Sequence, residues 1–196
     1  MKKINKVDNF NSIFLKYNIL INKGLASINK KSLFEASLLI EKKIKNNSKI
    51  FVAGNGGSAA VSNHFICDFL KNVKYFTKLK PKVISLSSNV EAIMAISNDL
   101  GYHNSLTYQA KSLSEKNDIF VIISSSGNSK NIIELVKFAK KNGNKIIGMS
   151  AFKGGYLKNN SDIHMHIKIN DYGISEDIFQ SIMHIFVKTI CARNKK

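Results

Sequence analysis

The sequence is short of most of the residues that would give its function away cheaply. It has one proline, two cysteines, no tryptophan and 13 acids among 196 residues, and Arg193 is its only arginine. Cys67 and Cys191 form no spaced motif, and two cysteines in a chain of this length do not point to a disulfide framework. Cys67 reads as a small core residue, with nothing local to activate its thiol. No stretch approaches the roughly 18 unbroken apolar residues of a membrane helix. Met1-Lys2-Lys3 leads into Ile-Asn-Lys-Val-Asp and not into an apolar run, so no signal peptide and no membrane partner are expected. A reduced cytoplasm is the expected compartment.

Lysine is what the chain has in excess. The formal charge is +17, which invites a nucleic-acid reading. Against it, the lysines are scattered along the whole chain, and arginine, the residue suited to bidentate phosphate and base contacts, is nearly missing. Attraction of a small anionic substrate accounts for the charge equally well. Nucleic acid is therefore not expected as a partner.

The most informative stretch runs from Lys49 to Asn72. Ile50–Ala53 is an apolar run of strand length, and Gly54-Asn55-Gly56-Gly57 breaks it with residues free to take positive φ. Ser58 is placed to cap the helix that follows. A strand, a glycine turn and a helix N-terminus form an anion site from backbone donors and the helix dipole. Farther along, His64 and Asp68 are four apart and share a face.

Around this stretch the pattern alternates. Residues 8–47 carry helical periodicity (Phe10, Ile13, Phe14, Tyr17, Leu20; then Leu33, Ala36, Ile40, Ile44), predicting a helical hairpin that turns between Gly24 and Lys31. It covers the core, or packs on its copy in an oligomer. Strands are expected at 82–86, 119–123, 145–149 and 163–169, with Pro81 at the start of the first of these. Helices are expected from Asn89 to Ile96, ended by Asn98-Asp99, and then over 105–114, 131–141 and 174–192. Strands alternating with such helices imply βαβ units and an α/β fold: a three-layer αβα sandwich on a parallel, flavodoxin-like sheet, with ligands beyond the strands' carboxyl ends.

Two loops lie at that edge. Gly54-x-Gly56-x-x-Ala59 loosely matches a dinucleotide fingerprint, but NAD needs an acid ending the second strand, and Leu86-Ser87-Ser88-Asn89 stands there. Ser124-Ser125-Ser126-Gly127-Asn128-Ser129 follows the clearest strand with four hydroxyls in six positions, more than a turn requires and suited to a terminal phosphate. On the last helix, Glu176, Gln180 and His184 recur every four residues. A solvated face accounts for the first two, but His184 lies among Ile182, Met183, Ile185 and Phe186. His64, Asp68, Glu176 and His184 together would make a donor set suited to zinc. His164 and His166 read as surface or edge residues, and His103 as a weaker candidate for the site.

These features resemble the sugar isomerase (SIS) domain family, specifically its sedoheptulose 7-phosphate isomerases, over nearly the whole chain. The likeness rests on Gly54–Ala59, His64-Phe65, Asn98-Asp99, Ser124–Ser129, Gly154-Gly155 and His184. It implies a single domain over 1–196, a phosphorylated seven-carbon sugar converted between ketose and aldose, a homotetramer with active sites between subunits, and a zinc ion. By position, Asn55, Gly56, Gly57, Ser58, Asn98, Asp99, Ser124, Ser125, Ser126 and Ser129 would hold the sugar phosphate. His64 and His184 would bind metal, with His184 also an acid–base residue. Two positions depart: the family's catalytic, metal-binding glutamate is Asp68 here, and its glutamine on the last helix is Glu176. Both would thus bind substrate and metal, and Glu176 or Asp68 would be the base. The exchange also leaves open another sugar phosphate, or a non-catalytic binding relative of the kind that binds the replication initiator.

Overall fold

The computed structural model describes residues 6–196. Five parallel strands, β1 (Lys49–Ala53), β2 (Lys82–Ser85), β3 (Ile119–Ile123), β4 (Lys145–Ser150) and β5 (Ile163–His166), lie in the order β2-β1-β3-β4-β5. The chain winds outward in one direction to β2 and in the other through β3 to β5. The reversal falls between β1 and β3, where a doubly wound sheet leaves its crevice. Ala53 pairs with Ile122, so the two strands end almost level and their following loops lie side by side.

All five residues of β3 are fully buried, as expected of a central strand covered on both faces. Alternation along β1 feeds two cores. Ile50 and Val52 point toward α1 (Lys6–Ala26), α2 (Lys30–Lys45), α3 (Gly57–Asp68) and α9 (Tyr172–Arg193). Phe51 and Ala53 point toward α6 (Ser105–Leu113) and α7 (Lys130–Lys141), with Phe51 stacked on Phe120 at 5.2 Å.

The hairpin forms where expected, with Asn29 capping α2 by accepting from the Ser32 amide at 3.1 Å. Its first helix rests on α9 through Gly24, where a Cβ would come within 2.1 Å of Ile178 Cδ1. The opposite face of α1 leaves Phe10, Ile13, Phe14 and Ile19 exposed. The single arginine ties the end of α9 to α2: Arg193 Nε donates to Glu41 Oε2 at 2.7 Å. Burial raises the Glu41 pKa, but hydrogen bonds from Lys45, Asn194 and Arg193 outweigh it and pull the group down to about 2.

Five expectations need correcting. Ser58 is not the cap of α3. Gly56, at φ +53, is the N-cap, and the helix has already begun at Gly57. Asn98 and Asp99 do not end their helix: α5 (Val90–Leu100) runs past them to Gly101, whose φ of +84 breaks it. The last strand stops at His166, because beyond it the Lys168 amide turns away to Ser27 Oγ at 3.1 Å. The Gly154-Gly155 turn opens a short helix, α8 (Gly155–Asn160). Cys67 is exposed, since it falls on the outer side of α3. That helix continues through a π-helical segment, Phe69–Val73, into α4 (Lys74–Phe76), another feature without a sequence signal.

Candidate active site

A cavity of about 240 Å³ opens beyond β1 and β3. Asn55–Ser58 line it on one side, Ser124–Ser126 and Ser129 on the other, and Tyr172 and Glu176 close it from α9. The strands dictate this placement, because both loops leave the sheet at the crevice. The serine loop is held tightly. Gly127, at φ +68, approaches Gly154 so closely that a Cβ would lie 2.0 Å from its carbonyl oxygen. The Gly127 amide donates back to the Ser124 carbonyl at 3.0 Å. Ser125 Oγ is buried and, among the described residues, has no hydrogen-bond partner, so a hydroxyl is left for a ligand.

Glu176 already uses part of the helix N-terminus. Its carboxylate lies against Gly57, where a Cβ would come within 2.1 Å of Oε2, and it accepts from the Ser58 amide. Burial raises its pKa above the usual carboxylate value, the Ser58 bond opposes that shift, and the charge of Asp177 adds to it. Glycine at 57 is thus required by the side chain that crosses it.

The second cluster forms where α3 packs against α9. One ligand atom each from His64, Asp68 and His184 lies within 4.8 Å of the others. His184 Nδ1 is 2.8 Å from Asp68 Oδ2 and His64 Nε2 is 3.5 Å from Oδ1. The two rings meet edge to face at 5.2 Å. Against a carboxylate oxygen Nδ1 is the donor, so His184 Nε2 accepts from Gln180 Nε2 at 3.1 Å. Asn72 Nδ2 donates to Asp68 Oδ1 at 3.1 Å. Asp68 is only 8% exposed, while both imidazoles reach solvent. Two imidazoles and one carboxylate with an open side suit a catalytic zinc.

Glu176 does not join this group. It lies eight residues before His184, about 12 Å along the helix, and its carboxylate is turned to Ser58. The expected set of four is therefore three in a single chain. Asn98 and Asp99 also lie apart: they are exposed on the last turn of α5 and bond to each other at 2.9 Å, outside the cavity. His103 is exposed beside Asn104. His164 and His166 do sit on the edge strand, but half-buried. His164 Nε2 meets Ser150 Oγ at 3.0 Å, and burial, then its neighbours His166 and Lys158, push its pKa down to about 4.

Sequence reasoning missed Tyr172. Tyr172 stands four residues before Glu176 on the same helix, and that spacing was the available signal. Gln180 passed as a solvated residue and instead holds His184. A larger cavity, about 360 Å³, lies at the amino-terminal edge of the sheet around Lys43, Lys49, Glu115 and Asp118. There the charges already answer one another, with Lys49 on Glu115 at 2.8 Å and the Asp118 carboxylate accepting from the Lys49 and Glu115 amides.

The chain is similar to proteins of known family. The SIS domain model matches residues 14–151. The chain is 34% identical over 161 residues to the phosphoheptose isomerase of Campylobacter concisus, covering 82% of each protein. It is 33% identical over 177 residues to that of Helicobacter pylori strain Shi470, covering 90% of this chain and 91% of the relative. The solved phosphoheptose isomerase of Francisella tularensis superposes with a TM-score of 0.85 at 25% identity, over 97% of this chain and all of that one. With a family model matching well over half its length and relatives above 30% identity along most of it, the chain belongs to the SIS domain family and, within it, to the phosphoheptose isomerases.

Proposed function

We propose that the chain, read as one SIS domain, isomerises sedoheptulose 7-phosphate to D-glycero-D-manno-heptose 7-phosphate for heptose and surface glycan synthesis in the cytoplasm. The observation that carries this is the pairing of two sites on the same two helices. A hydroxyl-lined cavity for an anion sits at the start of α3 and α9, and an imidazole–carboxylate cluster sits about two turns farther along both.

The serines and the glycine-loop amides would bind the phosphate, with Ser125 Oγ among the donors. Aldose–ketose exchange then needs a base that takes a proton from C1 and returns it to C2 through an enediol, and an acid that serves the two oxygens. Asp68 or Glu176 would be the base. His184, held 2.8 Å from Asp68, would serve the oxygens. His64, Asp68 and His184 would hold a zinc ion, which when bound polarises the carbonyl. The exposed apolar face of α1 supports packing of the N-terminal helices in a homotetramer, with active sites between subunits.

The test is incubation of the protein with sedoheptulose 7-phosphate, with the aldose followed by NMR and bound metal measured alongside. Aldose should accumulate, and a chelator should slow it. No product with this sugar, but turnover of another sugar phosphate, would reassign the substrate; none with any would leave a binding protein.

A further inference from the structure

The glycine loop that carries one side of the cavity wall is packed closely at Gly54 and Gly57 but open at Gly56. A Cβ added at Gly56 would meet nothing within 4 Å, and a second cavity of about 90 Å³ lies beneath, bordered by Gly54, Asn55, Ser87, Tyr102, Ser105 and Asn131. Ser105 Oγ is buried there without a partner among the described residues. Where the loop borders this pocket, hydrogen bonds and not packing position it.

Gly54 is held by Ser87, whose Oγ accepts from its amide at 3.1 Å and donates to its carbonyl at 2.8 Å, and the side-chain bonds of the open part meet at Asn55. Its Nδ2 donates to Asn131 Oδ1 at 2.9 Å, and its Oδ1 accepts from Asn131 Nδ2 at 2.8 Å, a reciprocal amide pair. The same Oδ1 also accepts from the Tyr102 hydroxyl at 2.9 Å. Asn131 is 1% exposed, in the first turn of α7 and two residues after Ser129. The pair thus ties the glycine loop to the helix that begins at the serine loop, on the side of the smaller cavity.

The consequence is chemical as well as mechanical. An amide has a donor end and an acceptor end, and an anion is drawn to one and repelled by the other. Two donors, from Asn131 and Tyr102, commit both lone pairs of Asn55 Oδ1. One Nδ2 hydrogen is spent on Asn131, and the other has no partner among the described residues. We infer that Asn131 and Tyr102 are positioning residues for the sugar phosphate: they fix the flip of the Asn55 amide so that it offers an N–H to the bound anion, and they set the spacing of the two loops. This rests on the reading of the cavity as the sugar-phosphate site.

The test uses the full chain and inorganic phosphate, measured by calorimetry, together with steady-state kinetics on sedoheptulose 7-phosphate. Asn131→Ala should weaken phosphate and raise KM about tenfold, the worth of one hydrogen bond to a charged group, and Tyr102→Phe should do so about threefold. Turnover at saturation should change much less than KM in both. In an Asn55→Ala background neither substitution should weaken phosphate further, because the amide they orient is gone. Equal losses with and without Asn55, or loss of turnover at unchanged KM, would overturn the inference. Should Asn131→Ala fail to fold, Tyr102→Phe decides alone, since the tyrosine is exposed and the change keeps its ring; unchanged phosphate affinity in that variant overturns the proposal. A wild-type protein that does not bind phosphate overturns the reading of the cavity and this inference with it. Binding by the wild type and both variants alike overturns the inference only.

Discussion

The serine-lined cavity and the histidine cluster share the same two helices but are built by different means. The cavity is made at strand ends: β1 and β3 finish almost level, their loops fall side by side, and backbone amides and hydroxyls do the lining. Each of its two loops is a short contiguous run, and only Tyr172 and Glu176 come from elsewhere. The cluster has no such origin. His64 and Asp68 come from one helix and His184 from another more than a hundred residues away, and they meet because α3 and α9 bury their apolar faces together. One region belongs to the sheet and is proposed to bind; the other belongs to helix packing and is proposed to react. Glu176 stands between them, on the helix that carries His184 but turned to the glycine loop.

That division can be broken by substitution. The largest effect is expected at the cluster. His184→Ala should cut turnover by about 10² to 10⁴, the range for losing a positioned acid–base group, while inorganic phosphate binds as before. Loss of phosphate affinity in that variant would show that the two regions are not separable.

A smaller effect is expected where they touch. Gly57→Ala places a methyl on the Glu176 carboxylate and must displace it. We expect phosphate affinity and turnover to fall together, with a stability cost of about 1–3 kcal/mol for an overpacked site. A variant with wild-type kinetics would mean that the position of Glu176 is immaterial to both regions.

The smallest effect should come from outside both. Arg193→Ala unties α9 from α2 and should cost about 1–2 kcal/mol in thermal or urea unfolding, less than a fully buried pair because the guanidinium is partly exposed. Kinetic constants should hold. The pH dependence follows from Glu41, whose folded pKa of about 2 lies below its ordinary 4.5. Between those values the unfolded chain binds more protons, so stability rises with pH. The Glu41 contribution is therefore complete above about pH 4.5 and is lost as pH falls toward 2. In Arg193→Ala that acid slope should shrink, and an unchanged slope would assign it to other carboxylates.

Much of the cavity was legible along the chain, because its parts are local. An apolar run, a glycine turn and a serine run are read directly, and Asn55–Ser58, Ser124–Ser126 and Ser129 reach one cavity. Boundaries were less legible where backbone conformation decides. Positive φ at Gly56 moved the start of α3 past the expected cap, and Gly101, not Asn98-Asp99, ended α5. Asn131 gave no signal at all. A polar residue in the first turn of a helix is ordinary, and nothing nearby announces a partner 76 positions earlier.

The sequence by itself determined the alternation of strands and helices, the glycine and serine turns at the strand ends, and the four-residue spacings that put His64 with Asp68 and Gln180 with His184. These follow from chain geometry over a few residues, and neighbours in sequence cannot avoid them. Tertiary structure decided the rest: that Asp68 bridges the two histidines, that Glu176 turns to Ser58 and away from His184, and that Asn98 and Asp99 stay outside the cavity. Such choices depend on how far apart two packed helices sit and which way each is rotated. Those quantities are fixed by the summed packing of the whole core, and no single segment encodes them.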